Sequence, residues 1–168
     1  LVGSEMCIRD SDYSIQANML IAEALYRLGE YNSSDSIFEQ MIAEDPENYM
    51  ILNNYSYYLA ERGEKLGNAR LWSEKVIRNH PDNFTYLDTY AWILYKMEQY
   101  EDAETYIMEA LRKGGSNDPE VNEHAGDIQY ALKSYEMAVS YYRKAIILGG
   151  EKSKLEEKIY RIRNHGAE

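Results

Sequence analysis

Residues 88–110 read DTYAWILYKMEQYEDAETYIMEA. The small residue Ala91 lies in a first apolar segment, and a polar turn at residues 97–99 follows it. Tyr100, Ala103 and Ile107 then recur at the three- and four-residue spacing of one helical face. This stretch predicts two short helices that pack against each other across a tight turn.

The same pattern occurs four times at a period of about 34 residues. The matching positions are Ala22, Leu25, Gly29, Tyr31, Ser34, Phe38, Met41 and Pro46 in the first copy, Ser56, Leu59, Gly63, Leu66, Ala69, Ser73, Val76 and Pro81 in the second, Ala91, Leu94, Tyr100, Ala103, Ile107 and Ala110 in the third, and Gly126, Tyr135, Ala138, Tyr142 and Ala145 in the fourth. A single helix pair cannot bury its apolar face alone, so stacked pairs must share one continuous core.

Two positions of each copy carry small residues, where the paired helices must approach closely. They are Ala22, Ser56, Ala91 and Gly126 on the first helices, and Ser34, Ala69, Ala103 and Ala138 on the second. Larger side chains there would overpack the contact at a cost of about 1–3 kcal/mol. We also expect core positions at the tyrosines that open second helices and seven residues later, namely Tyr31, Tyr100, Tyr135, Phe38, Ile107 and Tyr142.

These positions resemble the tetratricopeptide repeat family, whose pattern includes A-x3-F and a terminal Pro. The first-helix Trp of that pattern is absent, one extra residue separates Gly63 from Ala69, and the loop before Pro119 is longer. Asp118 before Pro119 reads as a helix N-cap. The resemblance implies an all-α fold, a right-handed α-solenoid of four helix pairs with a C-terminal capping helix. The expected units are residues 13–48, 49–83, 84–118 and 119–150, and a cap at 151–164.

The predicted capping helix carries Leu155 and Ile159 four residues apart on an otherwise charged segment. One apolar stripe on a polar helix is typical of a segment that closes a repeat stack. The alternative is the first half of a further repeat.

Residues 1–10 stand apart from the repeats, because they show no helical period and do not begin with Met. They read as the in-frame translation of a transposase adapter, and we exclude them from the fold as a disordered artefact. A disordered native leader is the alternative. We therefore expect the natural chain to extend upstream, with further repeats there.

The composition excludes several classes of function. The formal net charge of −11 over 168 residues disfavours nucleic acid as a partner. No apolar run reaches the roughly 20 residues of a membrane span. The only cysteine, Cys7, lies in the excluded segment, so neither disulfides nor thiol chemistry are predicted.

Motifs of catalysis are missing from the sequence: there is no H-E-x-x-H, G-x-G-x-x-G, Walker-type loop or G-x-S-x-G. Glu123, His124 and Asp127 are close in sequence, but only His124 and Asp127 share a helical face, and two ligands make a poor metal site. The sequence thus predicts no enzyme, no metal and no cofactor.

In the family that the chain resembles, first helices line a concave groove that binds a segment of another protein. The residues expected to face this groove are Tyr26, Asn53, Asn54, Tyr57, Asp88, Trp92, Tyr95, Lys96, Glu123, His124, Asp127 and Tyr130. Exposed Trp and Tyr are common binding anchors, and Asn can bind backbone amides. For Trp92 and Tyr95 the alternative is packing against the neighbouring repeat.

Some members of the family clamp the carboxylate of chaperone tails with Lys, Arg and Asn. The matching positions here include Met19, Glu23, Asn54 and Asp88, of which only Asn54 suits that task. A carboxylate clamp is therefore disfavoured.

The sequence favours a non-enzymatic protein-interaction scaffold. The alternatives are the C-terminal repeat region of a longer enzyme, an envelope assembly factor truncated upstream, and self-assembly through the ends of the stack. The run from Asp88 to Lys96 is similar to bacterial envelope tetratricopeptide proteins, which suggests a periplasmic or outer-membrane lipoprotein location, with the cytoplasm as the other option.

Overall fold

A computed structural model describes the backbone of residues 2–165 and the side chains of residues 15–164. The helices in this part are α1 (Val2–Arg27), α2 (Tyr31–Glu44), α3 (Tyr49–Arg62), α4 (Leu66–Asn79), α5 (Phe84–Lys96), α6 (Tyr100–Arg112), α7 (Pro119–Ala131), α8 (Tyr135–Ile147) and α9 (Lys152–His165), with a 3₁₀ turn at Gly115–Asn117. No strand occurs between residues 2 and 165. The all-α architecture predicted from the repeat is confirmed.

The first helices of repeats 2, 3 and 4 begin in the same way. Asn48, Asn83 and Asp118 stand immediately before α3, α5 and α7, and each side-chain oxygen accepts a hydrogen bond from backbone N–H groups in the first turn. Such caps satisfy donors that have no partner inside the helix. The predicted N-cap at Asp118 followed by Pro is confirmed.

The turn inside each helix pair needs a left-handed residue, and only half of the repeats supply glycine for it. Gly29 has φ 80° in repeat 1, whereas Glu98 and Lys133 have φ 61° and 62° in repeats 3 and 4. In repeat 2 both Gly63 (φ 70°) and Lys65 (φ 47°) are left-handed. The extra residue of that copy is therefore absorbed in its turn, and both helices keep 14 residues.

The predicted small positions are all buried where the paired helices meet. Ser34 adds a hydrogen bond, because its hydroxyl donates to the carbonyl oxygen of Ala22 at 2.8 Å. Gly126 has the tightest contact: a Cβ there would lie 2.3 Å from Cε1 of Tyr142. Glycine is therefore required opposite a tyrosine ring.

The large residues of the second helices divide into two groups. Phe38, Ile107 and Tyr142 are buried, as predicted. The tyrosines that open these helices are not core residues, because Tyr31 is 43% exposed and Tyr100 and Tyr135 are half-buried. At a helix start the ring reaches the edge of the stack, and its hydroxyl can stay in water.

Successive helices pack against one another along the chain, and the first helices also pack side by side: α3 contacts α5, and α5 contacts α7. The second helix of one repeat contacts the first helix of the next, as α4 does with α5 and α6 with α7. The first helices thus form one layer of the stack. We call the surface of α1, α3, α5 and α7 in this layer the first-helix face.

Helix α9 lies against α8 and carries Leu155, Ile159 and Ile162 as buried residues. Its Lys158 donates from Nζ to Glu123 Oε1 and Asp127 Oδ1, each at 2.7 Å. An apolar stripe and an ammonium group therefore hold this helix against the last repeat.

Helix α1 begins at Val2 and so includes residues 2–10, which the sequence analysis set aside as disordered. In the part of α1 whose side chains are described, Ile15 and Met19 pack against the core around Phe38 and Tyr55. The adapter origin of residues 1–10 stays a prediction.

Candidate functional site

The first-helix face is built from positions that recur every 35 residues from α3 to α7. The equivalent sets are Asn53, Asp88 and Glu123; Asn54, Thr89 and His124; and Tyr57, Trp92 and Asp127. Because the three helices pack side by side, each set forms a row that crosses the repeats. Polar and aromatic side chains of successive repeats therefore meet in this layer, some at its surface and others beneath it.

A pocket of about 150 Å³ lies at the middle of this face, and we call it the central pocket. Its lining side chains come from three successive first helices: Asn53, Asn54, Tyr57 and Tyr58 from α3, Thr85, Asp88 and Thr89 from α5, and Glu120 from α7. The predicted groove residues Asn53, Asn54, Tyr57 and Asp88 are thus brought together in one concavity.

Hydrogen bonds across the central pocket link repeats that are not neighbours. Tyr57 in repeat 2 donates its hydroxyl proton to Glu120 Oε1 in repeat 4 at 2.5 Å. Burial, together with the hydrogen bond and charge of Glu120, raises the pKa of Tyr57 far above its usual value. This phenol therefore stays protonated and remains a donor to Glu120.

Asp88 and His124 form a buried pair at one side of the pocket. Nδ1 of His124 lies 2.9 Å from Oδ1 and 3.1 Å from Oδ2 of Asp88. Burial disfavours the imidazolium, but the charge and hydrogen bond of Asp88, with smaller contributions from Glu120 and Asp127, outweigh it and raise the pKa of His124 above 6.5.

Trp92 is not a groove anchor. It is only 7% exposed, because its ring stacks on His124 (centroids 4.0 Å apart) on one side and on Tyr95 (4.8 Å) on the other. Its Nε1–H donates to Glu61 at 2.7 Å, and Nζ of Lys96 lies 4.7 Å from the ring centroid. The alternative of packing between repeats is therefore the correct one for Trp92.

His124 and Asn53 are also buried rather than displayed on the surface. Asn53 is 3% exposed, and its Nδ2 donates to Asn54 Oδ1 at 3.3 Å. Its own Oδ1 accepts no hydrogen bond from any described group, although it is buried. Both residues lie beneath the first-helix face, and Asn53 reaches the central pocket from below.

A second pocket, the cap pocket, has a volume of about 200 Å³. It is lined by Tyr95, Asp127, Tyr130, Tyr142, Lys158, Arg161 and Ile162. Here the predicted residues Tyr95, Asp127 and Tyr130 adjoin the capping helix, and Tyr130 is 47% exposed. This pocket is separate in its lining from the central pocket.

The carboxylates beside the cap pocket already have cationic partners. Asp127 accepts from Lys158 and from the Tyr142 hydroxyl, both at 2.7 Å. Glu123 binds Lys158 and Lys154 at 2.7 and 2.9 Å, and although burial opposes its ionisation, these hydrogen bonds lower its pKa. Glu123 and Asp127 thus hold the capping helix α9 against α7.

Tyr26 lies in repeat 1, away from both pockets. Its ring packs 4.4 Å from Tyr58 and 5.3 Å from Tyr31. It is half-buried and supports Tyr58, which lines the central pocket. The contact of Tyr26 with the site is therefore indirect.

Besides Tyr142, which was predicted as a core residue, seven lining residues of the two pockets escaped the sequence analysis: Tyr58, Thr85, Thr89 and Glu120 in the central pocket, and Lys158, Arg161 and Ile162 in the cap pocket. Thr85 and Glu120 are 35 residues apart and one helical turn before Asp88 and His124. That spacing could have placed them on the same face. Lys158 gave no such signal, because it lies on a helix outside the repeat.

Among the described side chains, no group of three His, Cys, Asp or Glu residues is arranged to hold a metal ion. No helix in the described part of the chain has both the length and the apolar character of a membrane span.

The stacked helix pairs define a helical-repeat protein in which the first helices form one layer. A model of the tetratricopeptide repeat matches residues 19–84 and 91–152. The chain therefore belongs to the tetratricopeptide repeat family, whose members serve in general as protein-interaction scaffolds.

The TPR repeat-containing protein PA4667 of Pseudomonas aeruginosa is similar, with 34% identity over 87 residues. That match covers 52% of this chain and 14% of the relative, so the chain spans a small part of that protein's length.

Three solved structures are similar in fold. The TPR protein TTC0263 of Thermus thermophilus superposes with a TM-score of 0.78 at 14% identity, covering 88% of this chain and 80% of that one. Pseudomonas aeruginosa pilF gives 0.66 at 21% identity, covering 90% and 71%. The first TPR of Spaghetti (RPAP3), bound to the HSP90 peptide SRMEEVD, gives 0.64 at 17% identity, covering 74% and 97%.

Proposed function

We propose that this protein is a non-enzymatic scaffold that binds an extended segment of a partner protein along its first-helix face. The central pocket carries the proposal, because side chains from three successive repeats converge on one concavity there. Repeat stacks commonly use such extended concave surfaces for binding. The exposed ring of Tyr130 in the cap pocket offers a second anchor further along the same face.

The binding mode differs from that of the RPAP3 domain, whose HSP90 peptide is acidic. The first-helix face carries the carboxylates of Glu23 and Glu120, and Arg27 is paired with Glu23 at 2.7 Å. An acidic tail would meet like charges on this face, which is unfavourable. A carboxylate clamp therefore remains disfavoured.

Selection from a random peptide display library tests the function without assuming a partner. Synthetic copies of the selected peptides are then titrated into the protein by calorimetry. Asn54→Ala and Tyr130→Ala should each weaken binding about fivefold or more, as expected for anchor residues. Leu71→Ala changes a residue of α4 that is 66% exposed and lies outside both pockets, so it serves as the control and should leave affinity unchanged.

Selected peptides that bind both pocket variants as tightly as the control would rule out the first-helix face as the binding site. The alternative, a repeat region within a longer enzyme or envelope assembly factor, is tested separately by the sequence of the complete gene.

A further inference from the structure

The outward side of α1 carries a stripe of exposed apolar residues, which we call the α1 stripe. It consists of Ala17, Ile21 and Ala24 in α1 and Leu28 directly after it, and all four are exposed, Ile21 by 50% and Leu28 by 77%. Leu28 continues the stripe because its backbone N–H donates to the Ala24 carbonyl oxygen at 3.0 Å. The spacing of three or four residues places the set along one side of the helix, and the buried Ala22 lies on the other side.

Inside the stack, the positions equivalent to the α1 stripe are covered. Ile21 is followed at the repeat spacing by Tyr55, Tyr90 and Ala125, which are at most 5% exposed. The ring of Tyr55 stacks on Phe38 of the preceding second helix, with centroids 5.1 Å apart. The positions that match the other three members of the stripe are also buried or half-buried in repeats 2, 3 and 4. The α1 stripe therefore continues the interface between successive helix pairs, but it has no partner among the described residues.

Charge does not oppose a contact at this end of the stack. Residues 15–28 contain two charged side chains, Glu23 and Arg27, and these bind each other at 2.7 Å. The other end is closed by α9, where residues 152–164 include seven charged side chains. Burying unpaired charges is costly. The end formed by α1 is therefore the one that suits burial against another protein surface.

The sizes of the stripe residues make the α1 stripe complementary to itself. When two copies of the stripe run antiparallel about a centre between residues 22 and 23, Ile21 lies opposite Ala24 of the second copy and Ala17 lies opposite Leu28. Each large side chain then faces a small one, which allows close packing of the two helices. The equivalent position inside repeat 2 holds the bulkier Tyr55, which packs on a second helix instead.

We propose that the α1 stripe binds the α1 stripe of a second copy of this chain, so that two copies form an antiparallel, two-fold symmetric dimer. In such a dimer every contact occurs twice, and two-fold dimers are the commonest symmetric assemblies. The stripe includes no lining residue of the central pocket or the cap pocket. The dimer therefore leaves both pockets accessible and presents two first-helix faces together, and it does not depend on the proposed scaffold function.

Sedimentation equilibrium of the full chain provides the first test. The mass should rise from 19.6 kDa towards twice that value as the concentration increases from about 1 µM to about 100 µM. Ile21→Lys places two like charges at the centre of the interface and should weaken the dimer at least tenfold. Leu71→Lys makes the same charge change at a 66% exposed position of α4 and is the matched control, which should leave the dimer unchanged.

Thermal melts show whether the variants fold, and Ile21→Lys should melt like the original protein at the lowest concentration because Ile21 is half exposed. A mass of 19.6 kDa at every concentration would overturn the proposal and assign the α1 stripe to a helix pair other than a second copy. A dimer that responds equally to Ile21→Lys and Leu71→Lys would also overturn it, because the contact would then lie elsewhere.

Disulfide cross-linking in a Cys7→Ser background tests the antiparallel arrangement. The double variant Ala17→Cys and Leu28→Cys should form a covalent dimer under mild oxidation, because the two thiols of different copies face each other within the reach of a disulfide. Either substitution alone should not, since 11 residues, about 16 Å of helix, separate the two positions. Single variants that cross-link as completely as the double variant would overturn the antiparallel pairing.

Discussion

The hydroxyl of Tyr57 in repeat 2 and the carboxylate of Glu120 in repeat 4 are joined by a 2.5 Å hydrogen bond, although 63 residues separate them. The bond passes over repeat 3 and its residue Asp88, which lines the same pocket. Repeat stacks are held together mainly by contacts between neighbours. The Tyr57–Glu120 bond instead joins repeats 2 and 4, which are not neighbours along the chain.

Removing the Tyr57–Glu120 hydrogen bond should lower the free energy of unfolding. Tyr57→Phe keeps the ring and deletes the donor, so we expect a loss of about 1 kcal/mol in the free energy of unfolding, measured in urea. Tyr160→Phe, at an exposed position of α9, is the control and should cost far less. Equal stability of the two variants would show that the Tyr57–Glu120 bond adds nothing to folding.

The unpaired Oδ1 of Asn53 should lower the stability of the fold. Asn53→Leu replaces the buried amide by an apolar group of similar size and removes the unpaired Oδ1. We expect unfolding stability to stay within about 0.5 kcal/mol of the original or to rise, since the buried unpaired Oδ1 is removed and only the 3.3 Å hydrogen bond to the half-buried Asn54 is lost. A variant that is strongly destabilised would mean that Asn53 is an ordinary structural residue.

The Asp88–His124 pair should make stability depend on pH. The folded state raises the pKa of His124 above 6.5, so its contribution is complete below about pH 6.5 and is lost as pH rises through the folded-state value. Groups facing the ring are Asp88 from α5, Glu120 and Asp127 from α7 and Tyr57 from α3.

His124→Gln removes the titrating group, so thermal melts between pH 5.5 and 9 should show a smaller pH dependence for this variant. The ring signals of His124 in the original protein should titrate with a midpoint above 6.5. A midpoint below that value would contradict the raised pKa.

The left-handed turn residues of repeats 3 and 4 offer a stabilising change. Glu98 and Lys133 adopt positive φ without being glycine, which costs roughly 1 kcal/mol per residue. Glu98→Gly should therefore raise the free energy of unfolding by about 0.5 kcal/mol. Glu101→Gly, inside the first turn of α6, should instead lower it by about 1 kcal/mol. Chemical denaturation of both variants provides the comparison.

The succession of helix pairs was predictable because small residues, turns and N-caps recur at one spacing. The contacts that these residues make lie within about 35 residues of chain. The site was predictable only in part. Asn54 and Tyr57 reach the pocket, but Trp92 and His124 are buried because their rings stack on each other where α5 packs against α7. Glu120 was missed although its spacing from Thr85 indicates the same face, and its contact with Tyr57 joins repeats 2 and 4, which no pattern within a single repeat predicts.

The pairing of Gly126 with Tyr142 yields a prediction about packing. Gly126→Ala should destabilise the protein by about 1–3 kcal/mol, because the added methyl group would clash with the ring. In the background of Tyr142→Ile the same change should cost less than about 0.5 kcal/mol, since repeat 3 already combines Ala91 with Ile107. A double-mutant cycle of unfolding free energies measures this coupling, and additive effects would contradict it.

Repeat 4 places glycine opposite tyrosine, and repeat 3 places alanine opposite isoleucine at the same contact. The two residues of each combination cannot be exchanged separately without loss of packing. A chimaera that joins the first helix of repeat 3 to the second helix of repeat 4 would set Ala91 against Tyr142 and should lose about 1–3 kcal/mol, as in Gly126→Ala. Engineered or natural recombination of such stacks should therefore place its junctions between helix pairs and not within them. The unit that can be inherited or transplanted intact is the matched pair of helices.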